Sequence, residues 1–182
     1  MQTELKKNRK VYIVVTQTGT VLSRILRIIT GAKYNHSSIT VDGTLNTMYS
    51  FGRLNPYNPF FGGFVQESIH NGTFKRFKNT EAAVYEINIT EEEWYNLKTN
   101  IAAMYENRKK YSYNYIGLIL AAFRIKYKKQ NHYYCSEFVK DILVQTNVVD
   151  ENSFYKIVKP IDFTKLNNVE QIYEGKLASF ER

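Results

Sequence analysis

Apolar residues along this chain change their spacing several times, and each change predicts a new element of secondary structure. The run over residues 10–17 is rich in β-branched residues and predicts a strand. Beyond it, Thr18 or Thr20 is a suitable cap for a helix that reaches about Thr30, with Gly31 as its stop. The apolar positions of that predicted helix follow helical spacing: Val21, Leu22, Ile25, Leu26, Ile28 and Ile29.

The next segment alternates with the period of a β-strand. Residues 33–41 and 44–51 are predicted strands, and Asp42-Gly43 between them is a strong signal for a tight hairpin. Alternation places one polar set on a single face of the first strand, namely Tyr34, His36, Ser38 and Thr40. The other face then carries Asn35, Ser37, Ile39 and Val41. The pattern therefore presents His36 on a polar face of a sheet.

Residues 53–81 give weaker signals. Asn, Pro, Gly and Phe dominate residues 53–63, which we interpret as an irregular loop. Short strands are predicted over residues 64–69 and 73–78, and a clearer strand over residues 82–89.

Helical spacing returns in the second half. Thr90 and Glu93 form a capping-box pattern that begins a helix reaching about Asn107, with Trp94, Leu97, Ile101 and Met104 facing inward. A second helix is predicted over residues 115–125, followed by a basic loop over residues 126–130, and a third helix opens at Cys135. A turn at residues 160–163 and a last strand over residues 172–177 complete the pattern. Strands and helices in mixed order predict an α+β fold with an antiparallel sheet packed against helices.

The length and the net charge of the chain restrict its domain count and its possible partners. The chain has 182 residues, which predicts a single domain over 1–182, and a net charge of +8. Basic clusters at residues 75–78, 108–110 and 124–129 suit an anionic surface, whereas no nucleic-acid-binding signature is present, so no specific nucleic acid is expected. The polar first ten residues and the short apolar run after them do not match a signal peptide, so we expect a cytoplasmic protein.

Cys135 is the single cysteine of the chain, and its position at the start of a predicted helix favours a reactive thiol. Unpaired backbone N–H groups and the helix dipole favour a thiolate there. Such thiols have pKa values of roughly 3.5–7.5 and act as nucleophiles at neutral pH. The alternative is a small buried hydrophobic residue, which is common for an isolated cysteine.

A thiolate nucleophile needs a proton acceptor, and the chain offers three histidines. His36 lies on the patterned strand, His70 lies in a turn-like segment, and His132 lies in a loop three residues before Cys135. His36 is the best candidate of the three. His132 and Cys135 could also bind a metal, but no second ligand pair follows at zinc-like spacing, so neither a metal nor a cofactor is expected.

The order of these elements and motifs resembles that of a known family. The order is strand, helix, a strand reading Asn35-His36-Ser37-Ser38-Ile39, a hairpin and helices, then Tyr134-Cys135-Ser136-Glu137-Phe138-Val139 on a helix. With the upstream Tyr111, Tyr113, Tyr115 and Gly117, this resembles the circularly permuted papain-like hydrolases of the NlpC superfamily, in the branch of YiiX/YaeF-type amidases and lecithin retinol acyltransferase.

The resemblance implies Cys135 as nucleophile and His36 as general base, with a third polar residue on the strand after the histidine. Members of the YiiX type carry a glutamate there, whereas this chain has Tyr49 and Ser50. A two-residue hairpin loop puts Tyr49 opposite His36, and a three-residue loop puts Ser50 there. Glu67 could also reach His36 from the next segment, although no pattern in the sequence brings it there. The backbone N–H of Cys135 is expected in an oxyanion site, with Tyr134 and Ser136 lining it.

The leading hypothesis is therefore a cysteine amidase or peptidase-type hydrolase, or an acyltransferase, that acts on an amide or ester through a thioester. Its expected partners are a small-molecule, peptide-like or acyl substrate and an anionic surface. Two other classes remain open. One is a catalytically silent papain-like binding module, and the other is a basic membrane-surface or nucleic-acid binder with a structural cysteine.

Overall fold

The computed structural model describes residues 7–19, 31–55 and 57–182. Six antiparallel strands of the described chain form one sheet in the order β4-β3-β2-β1-β5-β8. They are β1 (Lys7–Gln17), β2 (His36–Thr40), β3 (Met48–Asn55), β4 (Asn58–Glu67), β5 (Glu81–Thr90) and β8 (Val169–Lys176). Two short parallel strands, β6 (Ser112–Tyr113) and β7 (His132–Tyr133), pair separately. The expected antiparallel α+β architecture is confirmed.

Helices cover the sheet and connect its strands. They are α1 (Gly72–Arg76), α2 (Glu91–Glu106), α3 (Tyr115–Ala122) and α4 (Cys135–Gln145), with short 3₁₀ turns at Arg108–Lys110, Glu151–Ser153, Pro160–Lys165 and Leu177–Ser179. Within the described ranges, no helix has the length and apolarity needed to cross a membrane.

Both faces of the central strand are buried, which explains its continuous apolar run. Val11, Ile13 and Val15 of β1 point into the larger core with α2 and α4, and Tyr12 and Val14 point into a smaller core on the other face. Alternation of side chains along a strand sends neighbouring residues to opposite faces. A strand buried on both faces therefore has no polar alternation.

Several predicted elements are confirmed. Strand β1 corresponds to the predicted strand over residues 10–17, and β5 to the strand over residues 82–89. The capping box at the start of α2 is present: Thr90 Oγ1 accepts from the Glu93 N–H at 3.2 Å, and Glu93 Oε2 accepts from the Thr90 N–H at 2.7 Å. Helix α3 ends at Ala122, three residues earlier than expected, and the last strand is also present.

Three predictions between residues 41 and 78 are wrong. The Asp42-Gly43 pair does not close a tight hairpin, because the Asp42 carboxylate accepts from the N–H groups of Thr44 and Thr47 and shapes a longer loop. Residues 53–55 and 58–63 are not an irregular loop but belong to β3 and β4, where Arg53 pairs with Gly62 and Asn55 with Asn58. The strand predicted over residues 73–78 is helix α1, whose Phe74 packs into the smaller core. The helix predicted up to Thr30 falls almost wholly on residues 20–30, outside the described residues.

Candidate functional site

Helix α4 places Cys135 at its first position. Tyr134 precedes the helix in an extended conformation, with φ −99° and ψ 166°. The buried face of α4 carries Phe138, Val139, Ile142 and Leu143 into the larger core, as the helical spacing predicted. That packing holds the start of the helix against the start of β2, and the Cys135 side chain is 1% exposed.

Main-chain groups surround the Cys135 sulfur. Sγ lies 3.9 Å from the carbonyl oxygen of Asn35, and the backbone N–H groups of Ser37 and Ser136 point at it. Burial alone raises the pKa of a thiol, but a hydrogen bond from His36, the charge of His36 and these two N–H groups outweigh it. The pKa of Cys135 is therefore below its ordinary value, as required for a thiolate at neutral pH.

A carboxylate holds the other side of the His36 ring. Nε2 of His36 lies 3.2 Å and 3.1 Å from the two carboxylate oxygens of Glu67, so Nδ1 is the nitrogen left for the thiol. Burial lowers the pKa of His36, but the charges and hydrogen bonds of Glu67 and Cys135 raise it to about 10. Burial likewise raises the pKa of Glu67, and the charge of His36, with hydrogen bonds from His36 and Ser38, lowers it below the usual carboxyl range. The three groups form a row of thiol, imidazole and carboxylate, in which Cys135 is buried and the side chains of His36 and Glu67 are mostly shielded from solvent.

The β3–β4 hairpin delivers Glu67 to this position. Met48 pairs with Glu67 and Gly52 with Gly63, which puts the Glu67 side chain on the face that carries His36 and Ser38. Ser38 Oγ donates to Glu67 Oε2 at 2.6 Å and fixes the carboxylate. A Cβ atom at Gly52 would lie 3.3 Å from Glu67 Oε1, so the glycine leaves room for the carboxylate.

The predicted opposition of His36 to Tyr49 or Ser50 is wrong. The observed register pairs Ile39 with Tyr49, and Tyr49 points to the opposite face of the sheet, where its ring stacks on Phe64 at 6.1 Å. Ser50 is buried on the His36 face and lies near enough to Glu67 to lower its pKa, although its Oγ makes no hydrogen bond of normal geometry in the described chain. The longer loop after Asp42 caused the error, because it moved the register by two or three residues.

The two residues beside Cys135 have different surroundings. Ser136 Oγ donates to the carbonyl of Val158 at 2.8 Å, and the backbone N–H of Ser136 points at the sulfur. Tyr134 is buried, and its pKa is raised by burial and by the nearby charges of Glu137 and Cys135. Both residues line a groove beside the thiol.

Tyr113 is a member of the site that the sequence pattern did not assign to it. Burial is the main reason why its pKa is well above the ordinary value, and the charge of Cys135 and a hydrogen bond with that side chain add to the effect. Its ring packs on Tyr115 with ring centroids 4.6 Å apart. Position 113 alternates with Tyr111, and that spacing was the available signal.

The other two histidines stay apart from the thiol. His132 lies in β7, and its Nδ1 is 2.8 Å from the carbonyl oxygen of Gln130. His70 is exposed in the turn before α1. Of the three histidines, the structure brings only His36 to Cys135.

The groove beside the buried thiol is narrow and mainly apolar. Asn35, Tyr134 and Ser136, the chain neighbours of His36 and Cys135, line one end. Leu118, Ala121 and Ala122 of α3 line its wall, together with Val158 and Pro160. A larger cleft of about 300 Å³ lies on the Glu67 side of the row and is lined by polar and apolar residues, among them Arg53 of β3, Glu67 of β4 and Thr73 of α1.

Cys135, His36 and Glu67 are of residue types that bind metals in other proteins. In the described part of the chain, no three His, Cys, Asp or Glu side chains are grouped to hold a metal ion. The His36 ring is already held between Glu67 and Cys135.

Comparisons with known proteins show the fold alone. No model of a known protein family and no curated protein matches the chain. Among solved structures, the chain is similar to the crystal structure of metalloprotein yiiX from Escherichia coli O157:H7 (DUF1105). The TM-score is 0.53 and the sequence identity 10%, and the match covers 93% of this chain and 98% of that one. The chain thus has a yiiX-like α+β fold.

Proposed function

We propose that this protein is a cysteine hydrolase or acyltransferase with a permuted papain-like active site, acting on an amide or ester through a thioester intermediate. The observation that carries the proposal is the row of Cys135, His36 and Glu67. A buried thiol at a helix start, with its pKa lowered by a carboxylate-bound imidazole, is the arrangement that nucleophilic cysteine chemistry needs.

Each residue has one role in the first half of the reaction. The Cys135 thiolate attacks the substrate carbonyl carbon, and a carbon–sulfur bond forms as the carbonyl oxygen becomes an oxyanion. Collapse of this intermediate breaks the bond to the leaving amine or alcohol. His36, protonated in the resting pair, donates its Nδ1 proton to that leaving group.

The second half uses the same groups in reverse. Neutral His36 accepts a proton from water or from an acceptor alcohol or amine, whose oxygen or nitrogen attacks the thioester carbonyl. The carbon–sulfur bond then breaks, the acid or acylated acceptor leaves, and the thiolate–imidazolium pair is restored. Glu67 keeps Nε2 bonded throughout and stabilises the imidazolium, so it acts as a positioning residue.

The oxyanion needs donors on the thiol side. The backbone N–H of Cys135 at the start of α4 is one candidate, supported by the helix dipole. The Tyr113 hydroxyl, which lies within reach of the sulfur, is a second. Removing one such donor costs roughly 10²–10³-fold in rate where it has been measured in other enzymes.

The test measures acyl transfer to the protein. Incubation with p-nitrophenyl butyrate should release p-nitrophenol in a burst and add one acyl group to Cys135, detected by intact-protein mass. Cys135→Ala should remove the adduct, and His36→Ala should slow its formation by about 10²–10⁴-fold. His132→Ala is the matched control and should react as the parent does.

A His36→Ala protein that is acylated as fast as the parent would remove His36 as the base. Absence of acylation in the parent protein, with binding of a peptide or lipid retained, would favour the silent binding module. Anion-dependent binding that persists in Cys135→Ser, again without acylation, would favour a structural cysteine in a basic surface binder.

A further inference from the structure

Helix α3 and the segment after it expose an apolar stripe. Ile116, Ile119 and Phe123 recur at helical spacing on one face of α3, and they are 60%, 56% and 65% exposed. Ile125, 53% exposed, and Tyr127, 36% exposed, extend the stripe beyond the helix. Such a concentration of exposed apolar residues at one place is unusual for a surface in water. We refer to residues 116–129 as the docking face.

Positive charge surrounds this stripe. Arg124, Lys126, Lys128 and Lys129 are all exposed in the same segment. Residues 107–136 contain seven Lys or Arg and no Asp or Glu, in a chain whose net charge is +8. Lys128 Nζ donates to Asp141 Oδ2 at 3.0 Å, so this ion pair partly neutralises the charge of Lys128 within the protein. The remaining cations face outward beside the apolar side chains.

The other side of α3 lines the groove at the thiol. Leu118, Ala121 and Ala122 form the groove wall, whereas Ile116, Ile119 and Phe123 point away from it. Whatever covers the outer face therefore lies one helix diameter, about 10 Å, from the groove. A surface on which α3 rests would be placed next to the apolar groove, which Tyr134 and Ser136 on either side of Cys135 also line.

We propose that the docking face binds an anionic lipid bilayer, with the apolar stripe in the interface, the lysines and arginine on the phosphate groups, and the groove open to acyl chains. Charge complementarity selects this occupant, because a purely apolar partner would not need the cations and an acidic protein would not need the stripe. The eight-residue helix is about 12 Å long, so it lies in the interface.

One part of the proposal rests on the proposed function. If Cys135 is acylated, we expect the acyl donor to be a lipid ester or N-acyl lipid held in the bilayer, because the groove is apolar. Binding to the bilayer itself does not depend on catalysis, and a Cys135→Ala protein should bind vesicles as the parent does.

Vesicle sedimentation tests the docking face. The full chain should partition onto vesicles of phosphatidylcholine with about 30% phosphatidylglycerol at least tenfold more than onto pure phosphatidylcholine, and salt should weaken the binding. Lys126→Glu with Lys129→Glu should reduce binding to the anionic vesicles about tenfold or more. Lys75→Glu with Lys78→Glu changes the net charge equally at exposed positions elsewhere and should reduce it far less.

A second pair of variants tests the apolar stripe at constant charge. Ile119→Ser with Phe123→Ser should lower the partition coefficient about tenfold. Tyr95→Ser with Tyr155→Ser removes two exposed aromatic rings elsewhere, 64% and 68% exposed, and should leave it unchanged.

Three results would overturn the proposal. The first is equal binding to anionic and neutral vesicles, and the second is an equal loss of binding in the docking-face variants and their controls. The third is a chain that binds no vesicles but self-associates, with the self-association abolished by Ile119→Ser with Phe123→Ser. The last result would assign the face to a second copy of the chain. Failure of p-nitrophenyl ester acylation with vesicle binding intact would remove the proposed chemistry and leave the docking face.

Discussion

Glu67 is the residue on which the charge state of the site depends. Its carboxylate is mostly shielded from solvent and bonded to Nε2 of His36, and Ser38 holds it in place. A carboxylate stabilises an imidazolium through both charge and hydrogen bonding. The imidazolium in turn lowers the pKa of Cys135, so the reactivity of the thiol depends on a residue that does not touch it.

Glu67→Gln should move the thiolate to higher pH. The amide retains the shape but not the charge, so the pKa of His36 should fall from about 10 and that of Cys135 should rise. At pH values below about 8.5, the ordinary pKa of a thiol, Cys135 of the variant should then react with iodoacetamide at least about tenfold more slowly than in the parent. The reason is that a rise of one unit in the pKa lowers the thiolate fraction tenfold.

The measurement is the pH profile of alkylation at Cys135 by mass spectrometry. Glu106→Gln, at an exposed position on α2, is the control and should follow the parent profile. An unchanged profile in Glu67→Gln would mean that the carboxylate does not tune the thiol.

Among the elements, α2 and α4 begin in different ways, and the difference matches their positions. Thr90 and Glu93 cap α2 reciprocally, which satisfies two of its free N–H groups. Helix α4 starts at the candidate nucleophile, where free N–H groups can serve the sulfur and an oxyanion. Helix α2 thus begins with a side-chain cap, whereas the helix that carries the cysteine begins without one.

Thr90→Ala should destabilise the protein by about 1 kcal/mol, because the Glu93 N–H loses its acceptor. Urea unfolding followed by circular dichroism measures the change. Thr90→Ser keeps an acceptor oxygen and should lie closer to the parent. Equal losses in both variants would attribute the effect to the methyl group and not to the cap.

At the level of the whole molecule, buried carboxylates join distant parts of the chain. Glu86 of β5 is 4% exposed and pairs with Lys10 of β1 and with Arg182, whose Nη2 lies 2.9 Å from Oε2. Burial raises the pKa of Glu86, but hydrogen bonds from Lys10 and Arg182 lower it below the usual carboxyl value. The pKa of Glu67 in the site is likewise below the usual carboxyl value.

Stability should therefore fall in acid. A carboxyl group whose pKa is lowered by folding contributes stability above its ordinary pKa of about 4.5, and this is lost as pH falls through the folded value. Glu86→Gln should reduce the free energy of unfolding near neutral pH and flatten its decline below pH 4.5, measured by urea unfolding at a series of pH values.

Glu91→Gln is the matched control, because Glu91 is an exposed partner of Arg9 and surface pairs contribute little. A decline in acid that is identical in Glu86→Gln and the parent would contradict the role of the buried carboxylate. On the alkaline side, the contribution of His36, whose pKa is raised, should disappear as pH rises through about 10.

Local patterns were enough for several of the elements and for two members of the site. The β-branched run of β1, the capping box of α2 and the helical spacing after Cys135 each depend on neighbours a few residues away, and the sequence displays those neighbours directly. The face of β2 that carries His36 followed from alternation alone. Cys135 and His36 were therefore recognisable from the sequence by itself.

Strand register and the partner of His36 depended on contacts between segments far apart in sequence. The Asp42 carboxylate lengthened a loop that the Asp-Gly pair predicted to be tight, which displaced Tyr49 and Ser50 from His36. The Asn- and Gly-rich stretch after Arg53 became strand only because it pairs with β3, and that pairing carries Glu67 to the imidazole 31 residues away. Propensity is local, whereas the free energy of cross-strand pairing is not, so the carboxylate of the site was decided by tertiary packing.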